Sequence, residues 1–211
     1  MGKAEENKRK KRLALLSEAF HLFMSKGISN TTISDITQKA GVGKGTFYFY
    51  FKDKDDLVEK LIAQKAGQLF IRALDRLDKE PADMSVEDKL VFIADDLVQQ
   101  LMRDSRLLRL INKNLNYGIY KNALTRLESQ GDFDFMAHYY ELIAADGSEW
   151  NEPLLMLYTI VELVSATCHS IILEGEPVDY ASYKPYLFAC IRNIVGVFRK
   201  ANVHSAADPT N

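Results

Sequence analysis

Residues 31–54 read TTISDITQKAGVGKGTFYFYFKDK. Thr32 and Asp35 stand three apart, the spacing of a capping box, so a short helix is expected to start at Thr32. It ends at Ala40-Gly41, and a second short helix follows the GVGKG turn, from about Lys44 to Phe51. Two short helices joined by a glycine-containing turn form a helix-turn-helix, whose second helix enters the major groove of DNA.

The side-chain spacing agrees. Ile36 and Ala40 are one turn apart on the first short helix, Phe47 and Phe51 one turn apart on the second, and Val42 lies in the turn between. These residues can close a small core with Leu16, Phe20 and Phe23 of a preceding helix. With Phe47 and Phe51 turned inward, Lys44, Gly45, Tyr48 and Phe49 face outward, with Thr46 and Tyr50 near the edges. Such a face suits DNA: Lys44 supplies charge, glycine lets the backbone approach, hydroxyls reach phosphates and rings touch thymine methyls. Lys54 adds a cation at the amide-rich start of the next helix, where a phosphate is expected to bind.

Outward from this stretch the apolar spacing is three and four residues with almost no alternation, so the chain reads as all-α. A first helix is expected over about Asn7 to Lys26, with Leu13, Leu16, Ala19, Phe20 and Phe23 inward and Gly27 closing it in a left-handed conformation. Asp53 caps a long helix over about Lys54 to Lys79, stopped by Pro81. Ser85 and Asp88 open a helix to about Met102. Helical pattern resumes from Asp104, with bends near Gly118 and over Ser129 to Asp134. Pro153 begins a strongly apolar helix ending at Gly175, and a last helix runs from about Tyr180 to Lys200. The organisation expected is a helix-turn-helix head over 1–53, a helical body over 54–200 and a disordered tail over 201–211.

The net charge of −2 is unevenly spread. Residues 1–54 carry 11 Lys/Arg against 5 Asp/Glu, and the rest of the chain carries 16 against 24. A basic head on an acidic body points to a polyanion as the partner of the head alone.

Residues 31–54 resemble the DNA-binding head of the TetR family of bacterial transcriptional regulators. The resemblance rests on Thr31-Thr32, Ile36-Thr37, Ala40-Gly41-Val42, the run Gly45-Thr46-Phe47-Tyr48-Phe49-Tyr50-Phe51, and Lys54-Asp55-Asp56-Leu57, and it covers about residues 10–60. Thr37 stands where alanine is usual and Gly43 where serine is frequent. The resemblance implies phosphate or base contacts from Lys44, Thr46, Tyr48, Tyr50 and Lys54, with Gly45 at the close approach, Phe49 at the variable recognition position and Thr32 at the helix cap. It also likens the basic run Lys8 to Arg12 to an N-terminal arm that tracks along DNA; a solvated helix start is the other reading.

For the body, the resemblance implies a homodimer whose last two helices pair with their copies, a palindromic operator, repression, and release by a small molecule bound between the long helices. Leu155, Leu163, Val164, Ile191, Ile194, Val195 and Phe198 are apolar enough for the pairing, and equally for the chain's own core. Tyr158, Glu162, Ser165 and His169 form a polar stripe on an otherwise apolar helix. Either they bond across the dimer or within the core, or they line a pocket with Tyr117, Tyr120 and Tyr139 for an apolar or aromatic effector. The alternative is a DNA-binding regulator without a small-molecule ligand, controlled by a protein partner.

Other classes fit less well. The apolar run 154–173 is long enough for a membrane span but carries Glu162 and His169, so burial inside the body and against a second copy is the expectation. Cys168 and His169 are adjacent on one helix and point about 100° apart, which defeats a nucleophile–base pair. With no catalytic motif and no metal-ligand spacing, neither catalysis, a cofactor nor a metal is expected. The opening MGKAEENKRKKR lacks an apolar signal core, and a cytoplasmic protein is expected.

Overall fold

The computed structural model describes residues 2–105, 107–108 and 135–200. Among the described residues there are eight helices and no strand: α1 (Lys3–Lys26), α2 (Ile33–Lys39), α3 (Lys44–Tyr50), α4 (Lys54–Leu77), α5 (Val86–Arg103), α6 (Phe135–Ala144), α7 (Pro153–Glu174) and α8 (Tyr180–Phe198). The described residues up to Gln68 form one compact unit and those from Leu69 onward form another. The division falls within α4, not at its first residue, because Leu57, Val58, Leu61 and Ile62 are buried within the first unit. The expected tail over 201–211 and the bends between 118 and 134 lie outside the described residues.

In the first unit the core is Leu15, Leu16, Ala19 and Phe23 of α1, Ile36 of α2, and Phe47 and Phe51. Leu13 and Phe20 are only half-buried, so the inner face of α1 is rotated toward Leu15 relative to the expected one. The connections are set by backbone chemistry. Gly27 takes φ +83° with ψ 159°, a region open to glycine. The buried Thr31 hydroxyl donates to the Gly27 carbonyl at 2.8 Å. Gly41 at φ +65° ends α2, with its amide on Gln38 O and the Val42 amide on Thr37 O. Thr37 occupies a buried slot because its hydroxyl donates back to the Ser34 carbonyl at 3.1 Å.

In the second unit α8 packs on α7 and α5. Leu90, Ile93, Ala94, Val98, Tyr139, Met156, Ile160, Leu187, Ile191 and Val195 are buried there. Ile191 and Val195 therefore belong to the chain's own core and are withdrawn from any pairing face, whereas Ile194 and Phe198 are half-buried. Polar fasteners tie the helices together. Asp95 accepts from Tyr180 and from Lys184, each at 2.8 Å. Gln100, buried on α5, accepts from Arg72 at 2.7 Å and donates to the Leu69 carbonyl at 3.0 Å. Arg199 pairs with Glu87 at 2.7 Å while its guanidinium lies 4.6 Å from the Trp150 ring centroid.

Helix α7 is long and apolar enough to cross a membrane by length and composition. Of its 18-residue apolar window, 28% is buried.

Candidate DNA-reading surface

The position of α3 is fixed from below. Phe47 is fully buried and its ring meets Phe51 at 5.4 Å between centroids. Below the C-terminal end of α3, the Lys60 ammonium donates to the Tyr50 carbonyl at 3.0 Å and to Asp56 at 2.9 Å, a cation placed where the helix dipole is negative. Lys60 was not legible as a site residue; its only signal is the four-residue spacing from Asp56.

With that face inward, the opposite one is bare. Lys44 and Gly45 are exposed, Tyr48 is 58% and Phe49 68% exposed, and Thr46 and Tyr50 lie half-buried at the edges. The rings are braced edge-on, Tyr48 against Phe47 at 5.4 Å and Phe49 against Tyr50 at 4.9 Å. A Cβ added at Gly45 would meet nothing within 4 Å, so nothing inside the chain demands glycine there. Glycine inside a helix costs about 0.5–1 kcal/mol relative to alanine.

Helix α2 is started by a complete capping box. The Asp35 amide donates to the Thr32 hydroxyl at 3.1 Å and the Thr32 amide donates to the Asp35 carboxylate at 2.8 Å. Lys26 closes on the same carboxylate at 2.7 Å, tying the end of α1 to the start of α2. The Lys26 hydrogen bond, followed by the Thr32 amide, lowers the Asp35 pKa to about 2. Because folding lowers this pKa, the contribution is complete above the unfolded value of about 4 and is lost as pH falls toward 2. Thr32→Ala is expected to lower stability by about 1 kcal/mol at neutral pH. Asp35→Asn is expected to flatten the acid limb of the unfolding curve; both are read by thermal unfolding across pH.

Lys54 has a different use from the expected one. Its ammonium donates to the Ile28 carbonyl at 2.9 Å and the Thr31 carbonyl at 3.1 Å, which holds the α1–α2 turn against the start of α4. The α4 terminus is occupied as well: the Asp56 amide donates to the Asp53 carboxylate at 2.8 Å, the capping expected of Asp53. With Asp55 and Asp56 in its first turn, that terminus carries negative charge where a phosphate site was expected.

The basic run Lys8 to Arg12 is part of α1, which begins at Lys3. An open groove of about 420 Å³ separates this part of α1 from α3.

The residues expected around an effector are not brought together by what is described. Tyr117 and Tyr120 lie outside the described residues. Tyr139 is buried, but its hydroxyl donates to the Pro153 carbonyl at 2.6 Å, so its polar end joins α6 to α7 and is not offered to a ligand. On α7, Glu162 is exposed, and Tyr158, Ser165 and His169 are half-buried. Among the described residues the stripe is not a buried polar line. Cys168 beside it is buried, and burial pushes its thiol up to about 11, an unreactive sulfur.

The geometry of the head has a known counterpart. The family model described as bacterial regulatory proteins, tetR family, matches residues 15–61, spanning α2, α3 and the start of α4. The head of the chain is similar to the DNA-binding domain of the TetR family over these residues. The relatives that it matches are transcriptional regulators. A fatty acid metabolism regulator protein of Bacillus subtilis (strain 168) is 33% identical over 88 residues, 42% of this chain and 44% of that one, so the match spans less than half of that relative. An HTH-type transcriptional regulator of Staphylococcus aureus (strain USA300) is 27% identical over 195 residues, covering 92% of this chain and 96% of the relative. The fold is similar to that of the transcriptional regulator FadR from Bacillus subtilis in complex with stearoyl-CoA, with a TM-score of 0.52, 19% identity, and coverage of 87% of this chain and 98% of that one.

Proposed function

We propose that this regulator is a cytoplasmic repressor that binds a near-palindromic operator as a homodimer and leaves it when an apolar small molecule binds the body. The observation that carries the reading is α3, whose rigid inner face of Phe47 supports a bare outer face of Lys44, Gly45, Tyr48 and Phe49. In this reading Tyr48 and Phe49 meet base edges, Lys44, Thr46 and Tyr50 meet phosphates, Gly45 admits the close approach, and Thr32 stands at the α2 cap beside the strand. Lys54 acts one step back, by holding the turn that orients α2. The helix-turn-helix head is 1–53, carried on the first turns of α4 up to Gln68, and the effector and dimer contacts belong to the body beyond.

Two further observations support the dimer. On α8 the exposed residues Tyr186, Ala189, Asn193 and Val197 follow one another at three- and four-residue spacing, with Tyr186 71% and Val197 76% exposed. On α7, Leu154 and Leu155 are exposed too. Exposed apolar side chains on these two helices suit a protein contact, and a second copy is the partner that the resemblance to the TetR family supplies. Glu162, exposed at mid-helix, favours a protein partner over lipid for α7.

The effector class rests on the relatives: one is a regulator of fatty acid metabolism and another holds stearoyl-CoA, an apolar chain with a polar head. A labelled duplex with two inverted half-sites is the test. Long-chain acyl-CoA is expected to release the purified dimer from it, and CoA without the chain is not. Binding that no acyl-chain length disturbs would contradict the ligand half of the proposal.

A further inference from the structure

Helix α3 has seven residues, and of these Phe47 alone is buried. So short a helix is not stable by itself and takes its place from what it packs on. Phe47 and the adjoining Phe51 supply apolar attachment, but apolar burial is non-directional and fixes depth better than angle. The direction in which the outward rings point needs a further hold, and a hydrogen bond supplies direction.

Helix α4 provides that hold. The last carbonyls of a helix have no partner inside it, and Phe51, at φ −134° and ψ 132°, leaves the helical path at once. The Tyr50 carbonyl is taken instead by the Lys60 ammonium at 3.0 Å. One oxygen of Asp56, a turn earlier on α4, accepts both that ammonium and the Lys52 amide, each at 2.9 Å. The end of α3 and the connection that follows it are therefore tied to a single turn of α4. The same ammonium lies 5.2 Å from the centroid of the Phe51 ring, which itself meets Phe47. With its side chain only 22% exposed, Lys60 is turned into the fold, and its charge serves α3 rather than a DNA strand.

We infer that Lys60 is a positioning residue for operator reading: by holding the C-terminal end of α3 to α4, it sets the angle at which Tyr48 and Phe49 meet base edges. The inference rests on the DNA-reading role proposed for α3. Tyr48 and Phe49 stand within two residues of the held carbonyl, and the Phe49 ring is braced on that of Tyr50 at 4.9 Å. A change in the direction of this last turn thus moves the reading rings. A contact that only stabilised the fold would weaken operator and random-sequence binding alike.

The test compares the full-length protein with two variants. Lys60→Met keeps a long stem against Phe51 and removes the donor, whereas Lys60→Arg keeps the charge and the donors. Affinities for the operator and for a random-sequence duplex are measured between about 50 and 200 mM salt, beside thermal unfolding. Losing one base contact lowers discrimination by about tenfold. Lys60→Met is expected to reduce the operator-to-random affinity ratio by about that factor or more, with the salt slope unchanged and melting within a few degrees of wild type. Lys60→Arg is expected to restore the ratio. An unchanged ratio in Lys60→Met, with selective binding intact in the wild type, would overturn the inference and leave the role of α3 standing. A slope of log K against log salt shallower by about 0.9 per head would overturn it as well, by making Lys60 a phosphate ligand. A ratio that falls as far in Lys60→Arg as in Lys60→Met would do the same, because the donor would then be irrelevant. Wild-type protein that shows no sequence selectivity would overturn both.

Discussion

Phe47→Ala is expected to unfold the head and abolish selective DNA binding while the body stays folded. Phe47 is fully buried, and its ring is in contact range of both Phe51 and Tyr48. Removing a buried phenyl ring costs about 3–5 kcal/mol through lost transfer energy and the cavity left behind. A unit of about 60 residues has little to spare, because it buries only about 60% of the surface that its chain exposes. The same ring also carries the reading face, so the loss reaches Tyr48 and Phe49 directly. Phe49→Ala, by contrast, removes a ring that is 68% exposed, and is expected to leave the melting temperature nearly unchanged while lowering operator discrimination. Thermal unfolding by circular dichroism, beside operator titration, separates the two. A Phe47→Ala protein with wild-type melting and wild-type binding would show that α3 is held by something else.

The second large effect concerns the outer stripe of α8. Tyr186→Glu together with Val197→Glu is expected to break the dimer and reduce operator affinity by about a hundredfold or more, with the fold of each chain intact. Both side chains are mostly exposed in the single chain, so neither supports its core. Across a two-fold axis each carboxylate is met by its own copy or by apolar surface, and burying such unpaired charge costs several kcal/mol. Once separated, each head meets a single half-site and forfeits the local concentration that a linked partner provides. Sedimentation velocity reads the dimer and circular dichroism the fold. A variant that stays dimeric would move the interface off this stripe.

Much of the head was legible because its determinants are local. The Thr32–Asp35 box, the Gly41 turn and the one-turn spacing of Phe47 and Phe51 all lie within a few residues of their partners, and periodicity alone assigned α3 its two faces. Lys54 was not legible in the same way. Its ammonium is used by carbonyls 26 and 23 residues earlier, and no spacing rule reports a contact that depends on the fold being closed. The same reason governs Tyr139, whose hydroxyl is taken by a carbonyl 14 residues on. On α8, an apolar face reads alike whether it meets its own chain or another. Only packing showed that Ile191 and Val195 turn inward while Tyr186 and Val197 remain outside. The stripe on α7 was legible as a stripe, but its exposure was not, because the partner elements that would cover it are set by tertiary structure. Helix α1 begins at Lys3, one turn before the expected start at about Asn7, where the Glu5–Lys8 and Glu6–Lys10 spacings favour a helix.

The central claim is that α3 reads base sequence as one of a symmetric pair. Selection of bound duplexes from random DNA with the purified full-length protein, at near-physiological salt, tests it most directly. The account predicts a near-palindrome whose half-site centres lie about one helical turn, roughly 34–36 Å, apart. No enriched motif, with binding that vanishes as salt rises, would mean that the head holds only phosphate, and would contradict the account.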